Sequence, residues 1–229
     1  MKVVVTLGRS VEQRAIRAFI RRGRADRTVL VLGGMHGDEP KSVELARRLV
    51  RLLGGPMPPL GPPLLRGDAA WTRWVIVPAV NPDGYARRTR RNARRVDINR
   101  NFPTSNWTLG PRRSRMYGGP APASESETRA VMRAVECYRP QRIITIHSIG
   151  LDRFCNNYDG PGRTLAMAMK RRNRYPVTGS IGYPTPGSFG SWAGRELGIA
   201  VVTLELPSLQ SAKRCWADNR EAILAGGQW

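Results

Sequence analysis

The 229-residue sequence is short of several features, and each shortage excludes a class of protein. Three widely spaced cysteines, at 137, 155 and 215, form neither a CxxC pair nor a disulfide framework. No apolar run approaches the roughly 18 residues of a membrane-spanning helix. The N-terminal apolar run, residues 3–7, is too short for the core of a signal peptide. We therefore expect a reduced cytoplasmic protein that does not enter the membrane.

Lysine is scarce although the chain is strongly basic. The formal net charge is +21, but only four of the 38 basic residues are lysine. Because the arginines are spread along the chain, this skew is more typical of an arginine-favouring genome than of a selected nucleic-acid surface. Nucleic acid is therefore not the expected partner. A basic surface does favour small anionic substrates, since it concentrates them electrostatically.

Histidine is scarcer still, and its two occurrences have similar surroundings. His36 follows the apolar run 28–35, and His147 follows the run 142–146. Glu39 lies three residues after His36. Neutral imidazole with carboxylate is the usual ligand set of catalytic zinc, which has three protein ligands and one open position. The alternative is a pair of ordinary loop or core histidines, but the pairing with Glu39 favours a metal site.

The order of strand and helix patterns predicts one α/β domain covering residues 1–229. Apolar, β-branched runs predict strands at 2–7, 14–20, 28–34, 73–80, 141–146 and 199–206. Helical periodicity predicts helices at 40–53, 161–173 and 210–225, and another that begins at Ser124, where Glu127 completes a capping-box spacing. This alternation favours a mixed, mainly parallel twisted sheet with helices on both faces. Active groups in such folds collect beyond the carboxyl ends of the strands, where both histidines lie.

Two segments lack a helical or strand period. Residues 54–68 contain most of a Pro/Gly-rich loop, and residues 81–123 are irregular, which in a compact domain usually marks a functional loop. The longer segment begins with Asn-Pro-Asp-Gly at 81–84, a turn on chemical grounds. It also contains Asn99 and Arg100, an amide and a guanidinium suited to binding a carboxylate.

Glu205 lies inside the apolar run 199–207. A carboxylate is costly to bury unless it is paired, hydrogen-bonded or catalytic. Near a metal-activated water it could act as a general base. It could equally be a strand-edge residue that faces solvent, and its position in the sequence leaves both interpretations open.

In type, order and placement these residues resemble the zinc carboxypeptidases of the carboxypeptidase A type. The matching motifs are His36-x-x-Glu39, Asn81-Pro82-Asp83-Gly84, Asp97-x-Asn99-Arg100-Asn101-Phe102, His147-Ser148 and Thr203-x-Glu205. Residues 122–128 and 182–192 are similar to a short bacterial branch that contains the murein peptide amidases. The murein peptide amidases cleave γ-D-glutamyl–diaminopimelate bonds during peptidoglycan recycling.

The resemblance implies a role for each matching position. One Zn²⁺ per chain would be bound by His36, Glu39 and His147. Glu205 would be the general base toward the attacking water, and Arg90 would stabilise the oxyanion. Asp97 would orient the first histidine from behind.

The resemblance also implies how a substrate is held. Asn99 and Arg100 would bind its terminal carboxylate, and Tyr183 would close over it. Gly190, where selective relatives can carry a specificity-determining side chain, offers no charge to recognise an incoming side chain. Residues 148–155 differ from the amidase branch, so the wall of the pocket there is expected to differ too.

Three functions follow from the sequence. The leading one is a cytoplasmic zinc metallopeptidase that acts on a small peptide with free carboxylates, as a murein peptide amidase does. A general zinc carboxypeptidase, or an N-acyl amino acid deacylase on the same scaffold, is the nearest alternative. A basic nucleic-acid-binding module with a vestigial site is the remote one. No oligomeric state is predicted.

Overall fold

The computed structural model describes residues 2–54, 71–150 and 153–228, and these include an eight-stranded sheet. The predicted Pro/Gly loop at 54–68 lies outside the described residues except for Gly54, which ends a helix. The strands are β1 (Lys2–Arg9), β2 (Ala15–Arg21), β3 (Arg24–Leu32), β4 (Thr72–Val77), β5 (Arg142–Ile149), β6 (Cys155–Asp159), β7 (Val177–Thr178) and β8 (Ala200–Pro207). The α-helices of the described residues are α1 (Pro40–Gly54), α2 (Pro82–Arg87), α3 (Ser126–Tyr138), α4 (Arg163–Asn173) and α5 (Ala212–Ala225), and Ser191–Glu196 forms a short π-helix.

The sheet has a parallel centre and antiparallel flanks. Its strand order is β1-β2-β4-β3-β5-β8-β6-β7. Strands β4, β3, β5 and β8 are mutually parallel, whereas β1 and β2 on one side, and β6 beside β8, pair in antiparallel fashion. The predicted mixed, mainly parallel sheet is confirmed. Strands β6 and β7 were not predicted, because β6 reads Cys-Asn-Asn-Tyr-Asp and asparagine and aspartate are depleted in strands.

Helices cover both faces of this sheet, as predicted. Along β3, Val29 and Val31 pack toward α1, α4 and α5, while Leu30 and Leu32 pack toward α3. All four side chains are buried, which is the pattern of a central parallel strand covered on both faces. No helix among the described residues is long and apolar enough to cross a bilayer.

Two local predictions differ from the structure. The Asn-Pro-Asp-Gly segment does not form an isolated turn but starts α2, with Asn81 Oδ1 accepting a hydrogen bond from the Gly84 amide at 2.8 Å. Helix α3 begins at Ser126 rather than Ser124, with Glu125 at its N-cap position. The Ser124 hydroxyl donates to Glu125 Oε1 at 2.8 Å and so does not cap the helix.

The carboxyl ends of β3, β5 and β8 lie next to one another and define the functional edge of the sheet. After β3 the chain turns through Gly34, whose φ of +62° is readily adopted only by glycine. A Cβ atom there would lie 2.6 Å from Val43 Cγ2 on α1. This tight turn directs the chain that follows β3 toward the end of β5.

Candidate active site

His36, Glu39 and His147 meet at this edge. His36 Nδ1 lies 2.7 Å from Glu39 Oε1, and His147 Nδ1 lies 3.0 Å from Glu39 Oε2. The two Nδ1 atoms are 3.1 Å apart. All three side chains are buried. The Ser148 amide donates to Glu39 Oε2 at 3.0 Å, which fixes the carboxylate between the two rings.

The donor set fits one zinc ion. The three ligand atoms lie within 4.8 Å of one another and comprise two imidazole nitrogens and a carboxylate oxygen. Tetrahedral ligands at the usual distances from zinc are themselves roughly 3.4 Å apart. Three protein ligands also leave one position open, as catalytic zinc sites do. The structure therefore brings together all three residues that were predicted as metal ligands.

Asp97 lies behind this cluster. Its Oδ1 atom is 3.1 Å from His36 Nε2, so the ring can direct Nδ1 toward a metal. Burial opposes ionisation of this carboxyl, but the charges of His36 and Arg90 hold its pKa well below the usual range. The same balance lowers the pKa of Glu39, where the two histidines outweigh desolvation. Both carboxylates are therefore negatively charged at neutral pH.

Zinc binding is expected to release about one proton at neutral pH. Burial lowers the pKa of His36, but Glu39 and Asp97 outweigh it and raise the pKa to about 9 in the metal-free chain. The proton on this ring must leave before a metal can bind. Titration calorimetry at pH 7 in buffers of different ionisation enthalpy measures the release. A binding heat that does not depend on the buffer would contradict the expectation.

Glu205 faces the cluster from the neighbouring strand. Strands β5 and β8 pair with His147 opposite Glu205, and the glutamate is 7 % exposed. Within the described parts of the chain its carboxylate has no hydrogen bond or ion pair. Burial raises its pKa to about 7, although the nearby positive charges oppose the shift. The structure thus excludes a solvent-facing strand-edge glutamate and leaves a buried carboxylate that can take up a proton near neutral pH.

A cavity of about 620 Å³ opens over the cluster. Its lining includes the three candidate ligands and Glu205, together with the other residues predicted to bind substrate or polarise the carbonyl: Arg90, Asn99, Arg100 and Tyr183. Asp97, which was predicted to act from behind the histidine, is fully buried and does not line the cavity. The structure therefore gathers every predicted site residue in or directly behind one cavity.

Arg90 is the arginine of the 87–91 run that reaches this cavity. Its Nε and Nη2 atoms lie 3.0 Å and 2.9 Å from Asp97 Oδ2, and its Nη1 atom lies 3.3 Å from His36 Nδ1. Its neighbours point elsewhere. Arg88 stacks on the Tyr85 ring, and Arg91 donates to the Ser114 carbonyl. Proximity to the cluster thus distinguishes Arg90 from the arginines around it.

Arg100 is a buried cation with unused hydrogen-bonding capacity. Its Nη1 atom donates to the Asn99 carbonyl at 2.6 Å. Burial lowers the pKa of Arg100, and Asp97 opposes the shift. The buried Nε–H of Arg100 has no partner in the described structure. A buried donor without a partner is costly, and a substrate carboxylate would satisfy it. Tyr183 is 41 % exposed and stands at the edge of the cavity.

Asp159 and Arg195 line the same cavity and were not predicted from the sequence. Asp159 ends β6, is buried, and lies 3.0 Å from Arg195 Nε through its Oδ1 atom. Burial raises its pKa, and Arg195 opposes the shift. The alternating side chains at 155, 157 and 159 are the signal that could have revealed it, since residues two apart share a face of a strand. The signal was hidden because this polar segment does not read as a strand.

Comparisons with known proteins agree with this geometry. The family model described as zinc carboxypeptidase matches residues 1–214. Murein peptide amidase A of Escherichia coli K12 is 34% identical over 193 residues, which cover 80% of this chain and 72% of the relative. The amidase of the same name from Vibrio campbellii is 28% identical over 194 residues, or 80% and 70% of the two chains.

Solved structures show the same fold. The crystal structure of a murein-tripeptide amidase from Escherichia coli O157 superposes with a TM-score of 0.76 and 27% identity, covering 99% of this chain and 92% of the other. Bovine thrombin-activatable fibrinolysis inhibitor superposes with a TM-score of 0.78 at 21% identity, over 99% and 88% of the two chains. The family predicted from the motifs is therefore confirmed. The chain belongs to the zinc carboxypeptidase family, and it is a hydrolase.

Proposed function

We propose that this hydrolase is a zinc-dependent murein peptide amidase that cleaves the γ-D-glutamyl–diaminopimelate bond of small peptides in the cytoplasm. Residues 1–229 act as a single catalytic domain in this proposal. The observation that carries it is the placement of Glu205, which is buried, has no hydrogen bond or ion pair among the described residues, and pairs in the sheet with His147 of the cluster. The amidase relatives support the choice of substrate, since the chain matches about 70% of their length or more.

Zinc held by His36, Glu39 and His147 would supply the Lewis acidity that makes water a nucleophile at neutral pH. Glu205 would take the proton of the attacking water on its carboxylate. It would then give that proton to the leaving nitrogen, which departs as an amine. A general base works best when its pKa lies near the working pH, and burial raises the pKa of Glu205 toward that range.

Arg90 would stabilise the negative charge that develops on the scissile oxygen. It is held against the cluster by Asp97, which fixes its guanidinium before substrate arrives. A cationic donor that is already in place is not reorganised during the reaction, so its full electrostatic effect acts on the transition state. Asp97 would thereby position two groups at once, the His36 ring and the Arg90 side chain.

Asn99 and Arg100 would bind the terminal carboxylate of the leaving residue. Asn99 Oδ1 accepts a hydrogen bond from the Phe189 amide at 2.9 Å, and this bond fixes the orientation of its side-chain amide. Arg100 brings the unpaired Nε–H described above. Tyr183 would close over the bound residue from the edge of the cavity, where its exposure leaves it room to move.

Replacing Arg100 with methionine is expected to raise KM about 100-fold and to change kcat by less than about fivefold, because the carboxylate is bound in both ground and transition states. Steady-state kinetics on a γ-D-glutamyl–diaminopimelate peptide measure both constants. Arg94→Met is the matched control, since Arg94 is exposed and lies outside the cavity. A loss confined to kcat would assign Arg100 to the reacting atoms instead.

A substrate panel tests the proposed function. The zinc-loaded chain is incubated with L-Ala-γ-D-Glu-meso-diaminopimelate, with α-linked dipeptides and with N-acyl amino acids, and the released amine is quantified. We expect release from the first peptide at least 100-fold faster than from the others. Preferred release from the α-linked peptides would identify a general carboxypeptidase, and preferred release from the acyl compounds a deacylase.

A further inference from the structure

Asp159 lies at the far end of the active-site cavity and is only partly engaged. Its Oδ1 atom accepts one hydrogen bond, from Arg195 Nε at 3.0 Å. Neither its Oδ2 atom nor the Nη groups of Arg195 form a hydrogen bond within the part of the chain that the structure describes. Asp159 is buried, whereas the Arg195 side chain is 61 % exposed. The pair therefore offers the cavity one free carboxylate oxygen and one free face of a guanidinium.

Gly190 keeps the free oxygen of Asp159 accessible. A Cβ atom at position 190 would lie only 2.2 Å from Asp159 Oδ2. Any side chain at this position would therefore displace the carboxylate or occupy the space in front of it. Glycine was expected to leave the pocket without a charge that recognises a substrate side chain. The structure supplies that charge from β6 instead.

Asn157 adds a second acceptor next to Asp159. The two residues lie on the same face of β6, and both line the cavity. Asn157 Oδ1 is buried and has no hydrogen-bond partner among the described residues. Buried acceptors are almost always satisfied in folded proteins, so an unpaired one that lines a cavity points to a donor on a ligand. Two acceptors side by side suit an ammonium group.

The distance of Asp159 from Glu205 sets the length of the substrate side chain that can reach Asp159. Cys155 pairs with Glu205 in the sheet, and Asp159 lies four residues further along β6. Because a strand rises about 3.3 Å per residue, the backbone of Asp159 lies about 13 Å along β6 from the backbone of Cys155, which is paired with Glu205. Short side chains on the leaving residue are therefore too short to contact Asp159, whereas a chain of several methylenes that carries a polar head can reach it.

We propose that Asp159 and Arg195 form a subsite for the zwitterionic head of a long side chain on the leaving residue. Asp159, with Asn157, accepts hydrogen bonds from the ammonium group, and Arg195 donates to the neighbouring carboxylate. The distal amino-acid head of diaminopimelate has this chemistry. Lysine supplies the ammonium group but not the carboxylate, so Arg195 is the residue that discriminates between diaminopimelate and lysine. The assignment rests on the proposed function for the identity of the bond that is cleaved.

Two variants test the subsite in the zinc-loaded full chain. The substrates carry terminal meso-diaminopimelate, lysine or alanine, each in a γ-D-glutamyl and in an α-L-alanyl linkage, and kcat/KM is measured for all six. Arg195→Gln is expected to reduce the preference for diaminopimelate over lysine roughly 10- to 100-fold, with lysine peptides unaffected. Asp159→Asn is expected to lower kcat/KM for the diaminopimelate and lysine peptides by a similar factor and to leave kcat/KM for the alanine peptides unchanged.

The two variants also separate recognition from folding. Arg195 is largely exposed, so its replacement does not threaten the core, and Asp159→Asn is nearly isosteric. Binding of free meso-diaminopimelate, measured by calorimetry, should weaken in both variants and gives a readout that is independent of turnover. A preference for diaminopimelate over lysine that survives in Arg195→Gln would overturn the proposal. An equal loss of kcat/KM for peptides with all three terminal residues in Asp159→Asn would overturn it too.

The two linkages keep this test distinct from the proposed function. If only the α-linked peptides are cleaved, the amidase function fails, and the preference among the three terminal residues still tests the subsite. If the γ-linked diaminopimelate peptide is cleaved but neither variant changes the preference, the amidase function stands and the subsite fails.

Discussion

Replacing Glu205 with glutamine is expected to lower kcat about 10³-fold while the metal stays bound. The glutamate is a buried carboxylate that faces the candidate metal ligands from the adjacent strand but is not one of the three clustered donors. Glutamine keeps its size and removes its ability to accept a proton. General-base catalysis typically contributes factors of 10² to 10⁴, and this reaction needs the same group to transfer a proton twice. Peptide release and zinc content measured on the same sample test the expectation.

The activity of the wild type should also depend on the protonation state of Glu205. Wild-type kcat/KM should rise with pH as Glu205 loses its proton. Burial raises the pKa of Glu205 to about 7 in the metal-free chain, and a bound cation would lower it. The midpoint of the acidic limb of this pH profile should therefore lie between about pH 4.3, the ordinary pKa of glutamate, and about pH 7. Glu44→Gln, on the partly exposed surface of α1, should leave kcat unchanged. An acidic limb that persists unaltered in Glu205→Gln would assign it to another group.

Replacing Arg90 with methionine is expected to lower kcat about 10²- to 10³-fold, which is the usual effect of removing a donor at a developing oxyanion. KM should change little, because the interaction strengthens only as negative charge develops in the transition state. Arg90→Lys should recover part of the loss, since it keeps the charge but not the planar fork of donors. Steady-state kinetics of the three proteins test this order.

Arg91→Met is the matched control for Arg90. The two arginines are adjacent in sequence, but Arg91 donates to the Ser114 carbonyl and does not line the cavity. We expect wild-type kcat in this variant. Because Arg90 also contacts Asp97 and His36, zinc content must be measured in Arg90→Met. Loss of zinc that accounts for the lost activity would make Arg90 a support of the metal site and not a catalytic group.

The clustering of His36, Glu39 and His147 was predictable because these residues stand at recognisable positions in the sequence. His36 and Glu39 are three residues apart just after an apolar strand, and His147 ends another such run. Parallel strands bring their carboxyl ends to one edge of the sheet, so strand-end residues that are distant in sequence meet there. The central strands were equally clear, since strands buried on both faces are continuous apolar runs.

The far end of the cavity was not predictable in the same way. Strand β6 is held in the sheet by its pairing with β8, a contact between distant segments that local propensity does not encode. Without β6 there was no reason to place Asp159 beside Gly190. Similarly, several arginines around Arg90 have the same chemistry. The resemblance to the family pointed to Arg90, and the three-dimensional contacts distinguish it from its neighbours. We therefore infer that substrate specificity depends on these long-range placements, whereas the reaction type follows from short motifs.

We propose that His36, Glu39 and His147 hold one zinc ion beside Glu205 for hydrolysis of a γ-D-glutamyl–diaminopimelate bond. The most direct measurement is zinc content together with diaminopimelate release from L-Ala-γ-D-Glu-meso-diaminopimelate, in wild type and in Glu205→Gln. We predict about one zinc per chain in both proteins and release that is about 10³-fold slower in Glu205→Gln. Wild-type protein that holds a full complement of zinc and releases no diaminopimelate would contradict the proposed function. Undiminished release by Glu205→Gln would contradict the role of Glu205.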